Sequence, residues 1–317
     1  MGTVMVQSGS STNGERSSSR LRLERRVALY ERTLGIAVLP VLLRRLAIAL
    51  VRARASHRPD PRVWVEAGPH ETGRFKMLLD PNSLGHGARQ MALGTYDETF
   101  IDALRPFSQL QGTVVWDVGA HVGYESLVFA GIVGPSGRVV AFEPNPANVR
   151  EWQRNVDGNA DLAPRMNLRA LALCNQAGIA AFRFSDDVLG GGSSGSHLAD
   201  SVPPEEEPSY AAFGLVDVAC ARIDELVEAG EIDPPSIIKI DVEGAEADVI
   251  RGAMRTLRRH KPILLVEVHH VRAMHDLDVL LQEAEYASSL LETPEESASR
   301  CFLKAVPADA KPSQARR

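Results

Sequence analysis

The sequence predicts an α/β fold in which a mainly parallel sheet is covered by helices on both faces. Three observations support this prediction: apolar runs alternate with helical patterns from residue 112 onward, several runs are apolar throughout, and polar side chains directly follow four of them. Strands that are buried on both faces are apolar throughout, and alternation of strand and helix is typical of a parallel sheet.

The composition and charge limit the classes of function. The chain has 317 residues, of which 44% are hydrophobic and 24% charged, as in a soluble globular protein with one main domain. Residues 1–60 contain 11 arginines and 4 acids, whereas the remainder contains 24 basic and 37 acidic residues. Because phosphate contacts need a basic face, we expect no nucleic-acid partner. Three widely spaced cysteines without a CxxC pair argue against a disulfide framework and favour a cytoplasmic location.

The first 60 residues differ from the rest. Residues 1–20 are rich in Ser and Gly and are predicted to be disordered. Residues 21–60 are predicted to form a basic amphipathic helical arm, which Pro40 and several arginines interrupt too often for a membrane span. Three interpretations of this arm stay open: a helix packed on the core or on a second copy in a homo-oligomer, a peripheral membrane contact through residues 21–55, and a transit peptide.

The remaining elements follow in chain order. An N-terminal segment (61–111) carries predicted strands at 63–65 and 75–79 and a helix at 96–104. A main domain (112–306) carries predicted strands at 114–116, 138–142, 168–173, 179–184, 216–221, 237–240 and 263–268, and helices after 123 and at 146–155, 245–257 and 277–284. Segments 286–291 and 301–306 are predicted to pair as an antiparallel edge hairpin, followed by a disordered tail at 307–317. The Gly-, Ser-, Pro- and Glu-rich loop at 185–208 is either a mobile lid or a surface insertion.

The first chemical signal is "DVGAHVG", residues 117–123, directly after an apolar run. Glycines here permit close approach of a ligand to the backbone. Glu143 ends the next strand, twenty residues beyond Gly123, where a carboxylate can accept two hydrogen bonds from a ribose diol. The alternative is an acid that caps the following helix. The loop lacks the middle glycine of G-x-G-x-x-G, and we consider the formal match at 190–195 accidental.

The second chemical signal combines two neighbouring strand ends. The segment "KIDVEGAE" and the later "VEVHH" contain these polar side chains: Lys239, Asp241, Glu243, Glu246, Glu267, His269 and His270. Converging carboxylates and imidazoles are costly unless they bind a cation, a metal or a polar substrate. The alternative is that Asp241 or Glu243 caps the helix that begins near Ala245.

Four segments in order resemble the FkbM family of S-adenosylmethionine-dependent methyltransferases: "VVWDVGAHVGYESLVFA", "GRVVAFEPNPANVREWQRNV", "IIKIDVEGAEADVIRGA" and "PILLVEVHH". The similarity extends from about residue 94 to residue 270. The resemblance implies a class I (Rossmann-like) methyltransferase fold, with a seven-stranded, mostly parallel sheet that ends in an antiparallel hairpin. It also implies S-adenosyl-L-methionine as the cofactor.

The resemblance assigns roles to particular residues. The methionine part of the cofactor would lie along Asp117, Gly119, Ala120 and Gly123, the ribose hydroxyls at Glu143, and the adenine near Asn175, while Tyr96 and Glu98 of "GTYDE" close over it. Asp241 is the first candidate to orient or deprotonate a hydroxyl acceptor, and His269 is the second. We assign no metal, although a divalent ion held by Asp241 with Glu267 or His269 stays an alternative.

The expected activity is methylation of a hydroxyl group on a sugar, a glycolipid or a natural-product small molecule. Loop 185–208 and the N-terminal segment would select that acceptor. Two other functions stay open on the residues alone: an NAD(P)-binding oxidoreductase on a similar sheet, and a non-catalytic, membrane-associated binding protein that uses the basic arm.

Overall fold

The computed structural model describes residues 62–79, 86–185, 195–202, 212–292 and 301–310. The predictions for residues 1–61, and for most of the loop at 185–208, therefore lie outside the described residues. Among the helices that are described, none is long and apolar enough to cross a membrane.

The described strands and helices alternate along most of the chain. The strands are β1 (Val63–Ala67), β2 (Phe75–Leu79), β3 (Val114–Val118), β4 (Arg138–Phe142), β5 (Met166–Arg169), β6 (Ala172–Leu173), β7 (Gly178–Phe184), β8 (His197–Leu198), β9 (Gly214–Ala221), β10 (Ile237–Ile240), β11 (Ile263–Val268), β12 (Tyr286–Leu290) and β13 (Cys301–Pro307). The α-helices are α1 (His86–Leu93), α2 (Glu98–Ala103), α3 (Tyr124–Val133), α4 (Pro146–Asp157), α5 (Ile223–Glu228), α6 (Glu246–His260) and α7 (Val271–Glu283). Two short 3-10 helices lie at Phe107–Leu110 and Ala163–Arg165.

The central sheet has seven strands in the order β12-β13-β11-β10-β3-β4-β5. The five strands from β11 to β5 run parallel, and β13 pairs antiparallel with both β11 and β12. This order confirms the predicted fold class, including the antiparallel hairpin at the edge. Because the carboxyl ends of the parallel strands meet at one edge, the segments that follow β3, β4, β10 and β11 lie close together.

The middle strands are buried because they are apolar on both faces. Core residues such as Trp116, Phe142, Ile238 and Leu264 are almost completely inaccessible, and they share one cluster with Leu277 of α7. Burial of one such side chain contributes about 1.5–3 kcal/mol. This packed layer holds the strand ends rigidly, which is what a precisely arranged site requires.

Two smaller sheets flank the central one. Strands β1 and β2 form an antiparallel hairpin, and Asn159, just beyond α4, accepts a hydrogen bond from the Lys76 backbone N–H at 2.8 Å. Strands β6, β9, β7 and β8 form a four-stranded sheet. The single strand predicted at 168–173 is wrong, because the chain turns after Arg169 and passes from the central sheet (β5) into the small sheet (β6).

Other boundaries differ in smaller ways. The predicted limits of β2, β4, β10 and β11 are confirmed, whereas α7 begins at Val271 rather than at 277. Strand β13 reaches Pro307, and a turn at 308–310 continues it with a hydrogen bond from Ala308 N–H to the Glu285 carbonyl. The disordered tail predicted from 307 is therefore wrong for residues 307–310. Helices α1 and α5 were not predicted.

Candidate active site

The loop after β3 requires glycine at two positions because of contacts within the protein. Gly119 has φ +82° and Gly123 has φ +93°, a region that L side chains rarely adopt. A Cβ on Gly119 would lie 1.7 Å from the Asp241 carbonyl oxygen, and one on Gly123 would lie 2.8 Å from the Trp152 ring. These contacts account for both glycines through packing of the loop against β10 and α4, without reference to a ligand.

Glu143 is buried and firmly held at the end of β4. Its Oε2 accepts a hydrogen bond from the His121 backbone N–H, and its Oε1 accepts one from the Asn145 backbone N–H, each at 2.8 Å. The Asn148 amide donates to Oε1 at 3.3 Å. Burial raises the pKa of Glu143 to about 7, against the lowering effect of these three hydrogen bonds. The side chain of Asn145 caps α4, so the capping role considered for Glu143 is taken by another residue.

A cleft opens at the carboxyl edge of the sheet between Glu143 and Asp241. It encloses about 600 Å³, counting the space that is open to solvent. Its polar wall is formed by Gly119, His121, Glu143, Asp241 and Glu243. Its apolar wall includes Leu171, Leu173, Phe182 and Leu198, which come from the edge of β5 and from the small sheet. We call its two sides the Glu143 end and the Asp241 end. Asp241 and Glu243 line the cleft at the Asp241 end, and we count with them Glu267 and His269, which lie beside Asp241 behind that lining.

Lys239 connects the loop after β3 to the end of β10 from beneath the loop. The side chain is 1% exposed, and its Nζ donates to the Gly119 carbonyl at 3.2 Å. The same Nζ lies 3.4 Å from Asp117 Oδ1 and 3.5 Å from Asp241 Oδ2. Burial alone would lower the pKa of Lys239, but Asp117 and Asp241 outweigh it and raise the pKa well above its usual range. Lys239 is therefore a permanently charged link between the loop and the end of β10.

The imidazole of His269 is oriented by Glu246. Its Nδ1 lies 2.7 Å from Glu246 Oε1, which also accepts a hydrogen bond from the Gly244 backbone N–H at 2.9 Å. Burial lowers the pKa of His269, but the hydrogen bond to Glu246 and the nearby carboxylates of Glu243 and Asp241 raise it to about 10.

The other nitrogen of this imidazole faces three carboxylates. His269 Nε2 lies 3.6 Å from Asp241 Oδ1, 3.5 Å from Glu243 Oε2 and 3.6 Å from Glu267 Oε1. Ligand atoms of Asp241, Glu267 and His269 all lie within 4.8 Å of one another, a spacing that could hold a metal ion. The N-cap position of helix α6 is occupied by Ala245, which makes no side-chain cap hydrogen bond.

A pair of neighbouring carboxyl groups, Asp97 and Glu125, was not predicted from the sequence. Burial raises the pKa of both groups, and the hydrogen bond between them lowers the pKa of Asp97 and raises that of Glu125. Two signals could have revealed the pair: Glu125 is the one acid in the otherwise apolar helix "YESLVFAGIV", and Asp97 lies inside the quoted "GTYDE".

Tyr96 faces this acidic region. Its ring packs edge-on against Tyr124, with centroids 5.2 Å apart. Burial raises the pKa of Tyr96 well above its usual range, and the charges of Asp97, Glu125, Asp241 and Glu267 add to that effect. The structure thus brings Tyr96 to the site, whereas Glu98 is exposed and lines a separate surface hollow with Asp102.

Of the remaining predicted residues, two are buried in or below the loop after β3, and one lies outside the lining of the cleft. Asp117 is completely buried and accepts a hydrogen bond from Ser126 at 2.5 Å, so it supports the loop from below. Ala120 is also buried, and its N–H donates to the Phe142 carbonyl at 3.1 Å. Asn175 does not belong to the lining of the cleft; its amide donates to Asp248 at 3.0 Å.

The sheet order and the site together define a class of protein. A parallel sheet with an antiparallel edge hairpin, a glycine-containing loop after β3 and a buried acid after β4 make up the Rossmann-like fold of class I methyltransferases. A sequence model of the methyltransferase FkbM domain matches residues 117–288, which is more than half of the chain. The chain belongs to the FkbM methyltransferase family, and this membership assigns S-adenosylmethionine to it as the cofactor.

Two curated relatives have related names. The hexuronic acid methyltransferase AglP of Haloferax volcanii is 30% identical over 179 residues, which are 56% of this chain and 64% of that protein. The 2-O-methyltransferase NoeI of Sinorhizobium fredii is 28% identical over 149 residues, which are 46% of this chain and 59% of that protein. The chain therefore matches less than two thirds of the length of each relative.

Two solved structures are similar to this chain at low sequence identity. The methyltransferase FkbM from Methylobacillus flagellatus is 20% identical, with a TM-score of 0.44, and the alignment covers 71% of this chain and 54% of that one. An O-methyltransferase from Bacillus cereus, solved with S-adenosylhomocysteine (SAH), is 14% identical, with a TM-score of 0.41 and coverage of 90% and 99%.

Proposed function

We propose that this protein transfers a methyl group from S-adenosylmethionine to a hydroxyl group of a sugar, with hexuronic acids as the first acceptor class to test. One observation carries the proposal: a single cleft has Glu143 at one end and Asp241 at the other. The names of the two relatives, which refer to a hexuronic acid and to 2-O-methylation, support a sugar acceptor.

The Glu143 end fits the nucleoside of the cofactor. Glu143 Oε2 accepts a single hydrogen bond from the His121 N–H, and a carboxylate oxygen can accept a further one from a ribose hydroxyl. Leu171, Leu173 and Phe182 provide an apolar wall for a flat, weakly polar ring. When bound, the cofactor supplies an electrophilic methyl group on a positively charged sulfur.

The Asp241 end fits the acceptor. A hydroxyl group is a poor nucleophile at neutral pH, and a carboxylate that receives its hydrogen bond can orient it and accept its proton. Lys239 holds Asp241 Oδ2 from below at 3.5 Å, and His269 lies beside Oδ1 at 3.6 Å. The acidic surroundings also favour the cationic cofactor over its neutral product, which promotes exchange after each turnover.

Calorimetry with SAH tests the cofactor half of the proposal. The expected result is micromolar binding that weakens by about tenfold in Glu143→Gln, because a charge-assisted hydrogen bond is replaced by a neutral one. Glu225→Gln, at an exposed acid on α5, is the matched control and should bind SAH like the wild type. Equal affinity in all three proteins would overturn the ribose assignment.

Methyl transfer tests the acceptor half. The protein is incubated with labelled S-adenosylmethionine and a panel that contains glucuronic and galacturonic acid glycosides, the matching neutral hexosides and a phenolic hydroxyl. The proposal expects label on a sugar hydroxyl, with loss of transfer from acceptors whose reacting hydroxyl is replaced by hydrogen. Label on the phenol alone, or on none of the sugars, contradicts it.

The basic arm gives the proposal a membrane component. The nine arginines of residues 21–60 support peripheral attachment to an anionic membrane through residues 21–55, where a glycolipid acceptor would be found. Pairing of the arm with a second copy is the competing arrangement. Co-sedimentation of the full chain with liposomes that contain 30% anionic lipid, and sedimentation equilibrium without lipid, separate the two.

A further inference from the structure

His269 presents a buried nitrogen that has no hydrogen-bond partner among the described residues. Its side chain is 10% exposed, and Nε2 is among the buried polar atoms without a partner. Because Nδ1 donates to the Glu246 carboxylate, the orientation of the ring is fixed and Nε2 points toward Asp241, Glu243 and Glu267. The three distances of 3.5–3.6 Å exceed the usual N–H···O range of about 2.7–3.2 Å.

These separations match the distances between ligands around a metal ion. Nitrogen and oxygen ligands at about 2.0–2.2 Å from an ion, at tetrahedral angles, lie about 3.3–3.6 Å from one another. Ligand atoms of Asp241, Glu267 and His269 satisfy the looser condition that all pairs lie within 4.8 Å. A histidine that binds a metal usually donates its other ring N–H to a carboxylate, as His269 does to Glu246.

We propose that Asp241, Glu267 and His269 bind one divalent cation of the first-row transition series, with Glu243 beside it and Glu246 orienting the imidazole. This class of ion accepts both carboxylate oxygen and imidazole nitrogen. The ligands come from the ends of two adjacent parallel strands, β10 and β11, which the central sheet holds in register. Three protein ligands leave positions on the ion for other molecules.

The role of the ion in acceptor binding rests on the proposed function. Asp241 lines the cleft, so an ion bound to it is accessible to a sugar. Two neighbouring sugar oxygens, or a hydroxyl and the carboxylate of a hexuronic acid, could occupy the open positions, and coordination would lower the pKa of that hydroxyl. The ion would also offset the repulsion between an acidic acceptor and the carboxylates of the Asp241 end.

Binding of Mn²⁺ to the full chain tests the site directly. After treatment with a chelator and buffer exchange, the protein is titrated with Mn²⁺ and free ion is followed by electron paramagnetic resonance. The expected result is one ion per chain, together with a rise in the midpoint of thermal unfolding. A protonated Nε2 that is surrounded by water is the competing state; it predicts no stoichiometric Mn²⁺ binding, and that result would overturn the proposal.

Variants separate this site from other histidines and acids. His269→Ala should weaken Mn²⁺ binding by about tenfold or more, and Glu246→Gln by about tenfold, because loss of an orienting partner typically costs 10- to 100-fold. The matched control is His275→Ala, at an exposed histidine on α7, which should bind Mn²⁺ like the wild type. Equal affinity in His269→Ala and His275→Ala would refute the assignment.

SAH calorimetry on the same variants provides the folding control. Binding of SAH at the Glu143 end should survive in His269→Ala, which shows that the variant is folded. If the wild type binds SAH but not Mn²⁺, the metal-site proposal is refuted and the proposed function stands. If the wild type binds one Mn²⁺ per chain but neither binds SAH nor transfers a methyl group, the metal site stands and the proposed function is refuted.

Discussion

The two ends of the cleft differ in how the chain holds the side chain that defines each of them. At the Glu143 end, three hydrogen bonds from the chain hold the carboxylate in place. At the Asp241 end, His269 Nε2 lies among three carboxylates and has no hydrogen-bond partner among the described residues. Internal hydrogen bonds thus fix the carboxylate that is to receive the ribose, whereas an imidazole nitrogen without a partner calls for a ligand from outside the chain. The comparison therefore separates a generic binding site from the one that sets chemistry and selectivity.

The largest expected effect comes from Lys239, which joins the loop after β3 to the end of β10. In Lys239→Met, the buried Asp117 carboxylate and the partly exposed Asp241 carboxylate lose their cation, and the free energy of unfolding should fall by about 3–5 kcal/mol. Urea denaturation measures the change, with Lys76→Met at an exposed lysine as the control. A loss no greater than that of the control would mean that the Lys239 ion pairs do not stabilise the loop against β10.

Removal of the Asp241 carboxylate should separate chemistry from cofactor binding. We expect methyl transfer in Asp241→Asn to fall by about 100-fold or more. The affinity for SAH should change by no more than about twofold, because the Glu143 end is intact. Rates under saturating cofactor and calorimetry provide the two measurements, and Asp161→Asn, at an exposed acid, is the control. Equal losses of rate and of SAH affinity would contradict the assignment of methyl transfer to the Asp241 end and of cofactor binding to the Glu143 end.

The close approach of Gly119 to Asp241 offers a third test. Gly119→Ala should lower stability by about 1–3 kcal/mol more than Gly230→Ala, since the added methyl group overlaps the Asp241 carbonyl. Gly230 is a suitable control because it also has a positive φ, +67°, but a Cβ there would meet nothing within 4 Å. Thermal or urea unfolding measures the two stability losses. Similar losses in the two variants would show that the positive φ alone, and not the overlap with Asp241, causes the destabilisation.

The smallest expected effect is the pH dependence of SAH binding at the Glu143 end. Burial raises the pKa of Glu143 to about 7, and ribose hydroxyls donate to the ionised form. The protonated fraction grows as the pH falls through the pKa, so SAH affinity should decrease by about tenfold from about pH 8 to about pH 6. Calorimetry across this range should show the decrease in the wild type and not in Glu143→Gln. A flat profile in the wild type would place the pKa of the carboxyl well below 7.

Sequence patterns singled out residues at both ends of the cleft, but not the contacts between segments that are distant in the chain. The positions of Gly119 and Glu143 follow from a loop and an acid at the ends of two successive apolar strands, which is local information. Asp97, which has a left-handed backbone, and Glu125 lie 28 positions apart; each is unusual in its own segment, but neither segment indicates that the two are hydrogen-bonded. The same is true of His269 and Glu246, whose contact depends on how α6 packs beside β11.

The fold shows the same contrast between elements that local sequence determines and elements that tertiary pairing determines. Strands such as β4 and β11 have uniform apolar runs with clear ends, so their limits could be predicted. The switch between sheets after Arg169 could not, because both halves of 168–173 have strand-like residues and only the tertiary pairing separates them. Helix α1 contains a glycine and few apolar residues, so its periodicity is weak.

The contact between Gly119 and the Asp241 carbonyl restricts how the enzyme can be redesigned. The loop and the end of β10 interlock so closely that a change in one position would have to be matched by a change in the other, and random variation there should mostly yield inactive protein. Leu171, Phe182 and Leu198 belong to the opposite wall and are free of this constraint. Libraries that aim to alter the choice of acceptor should therefore diversify that wall first.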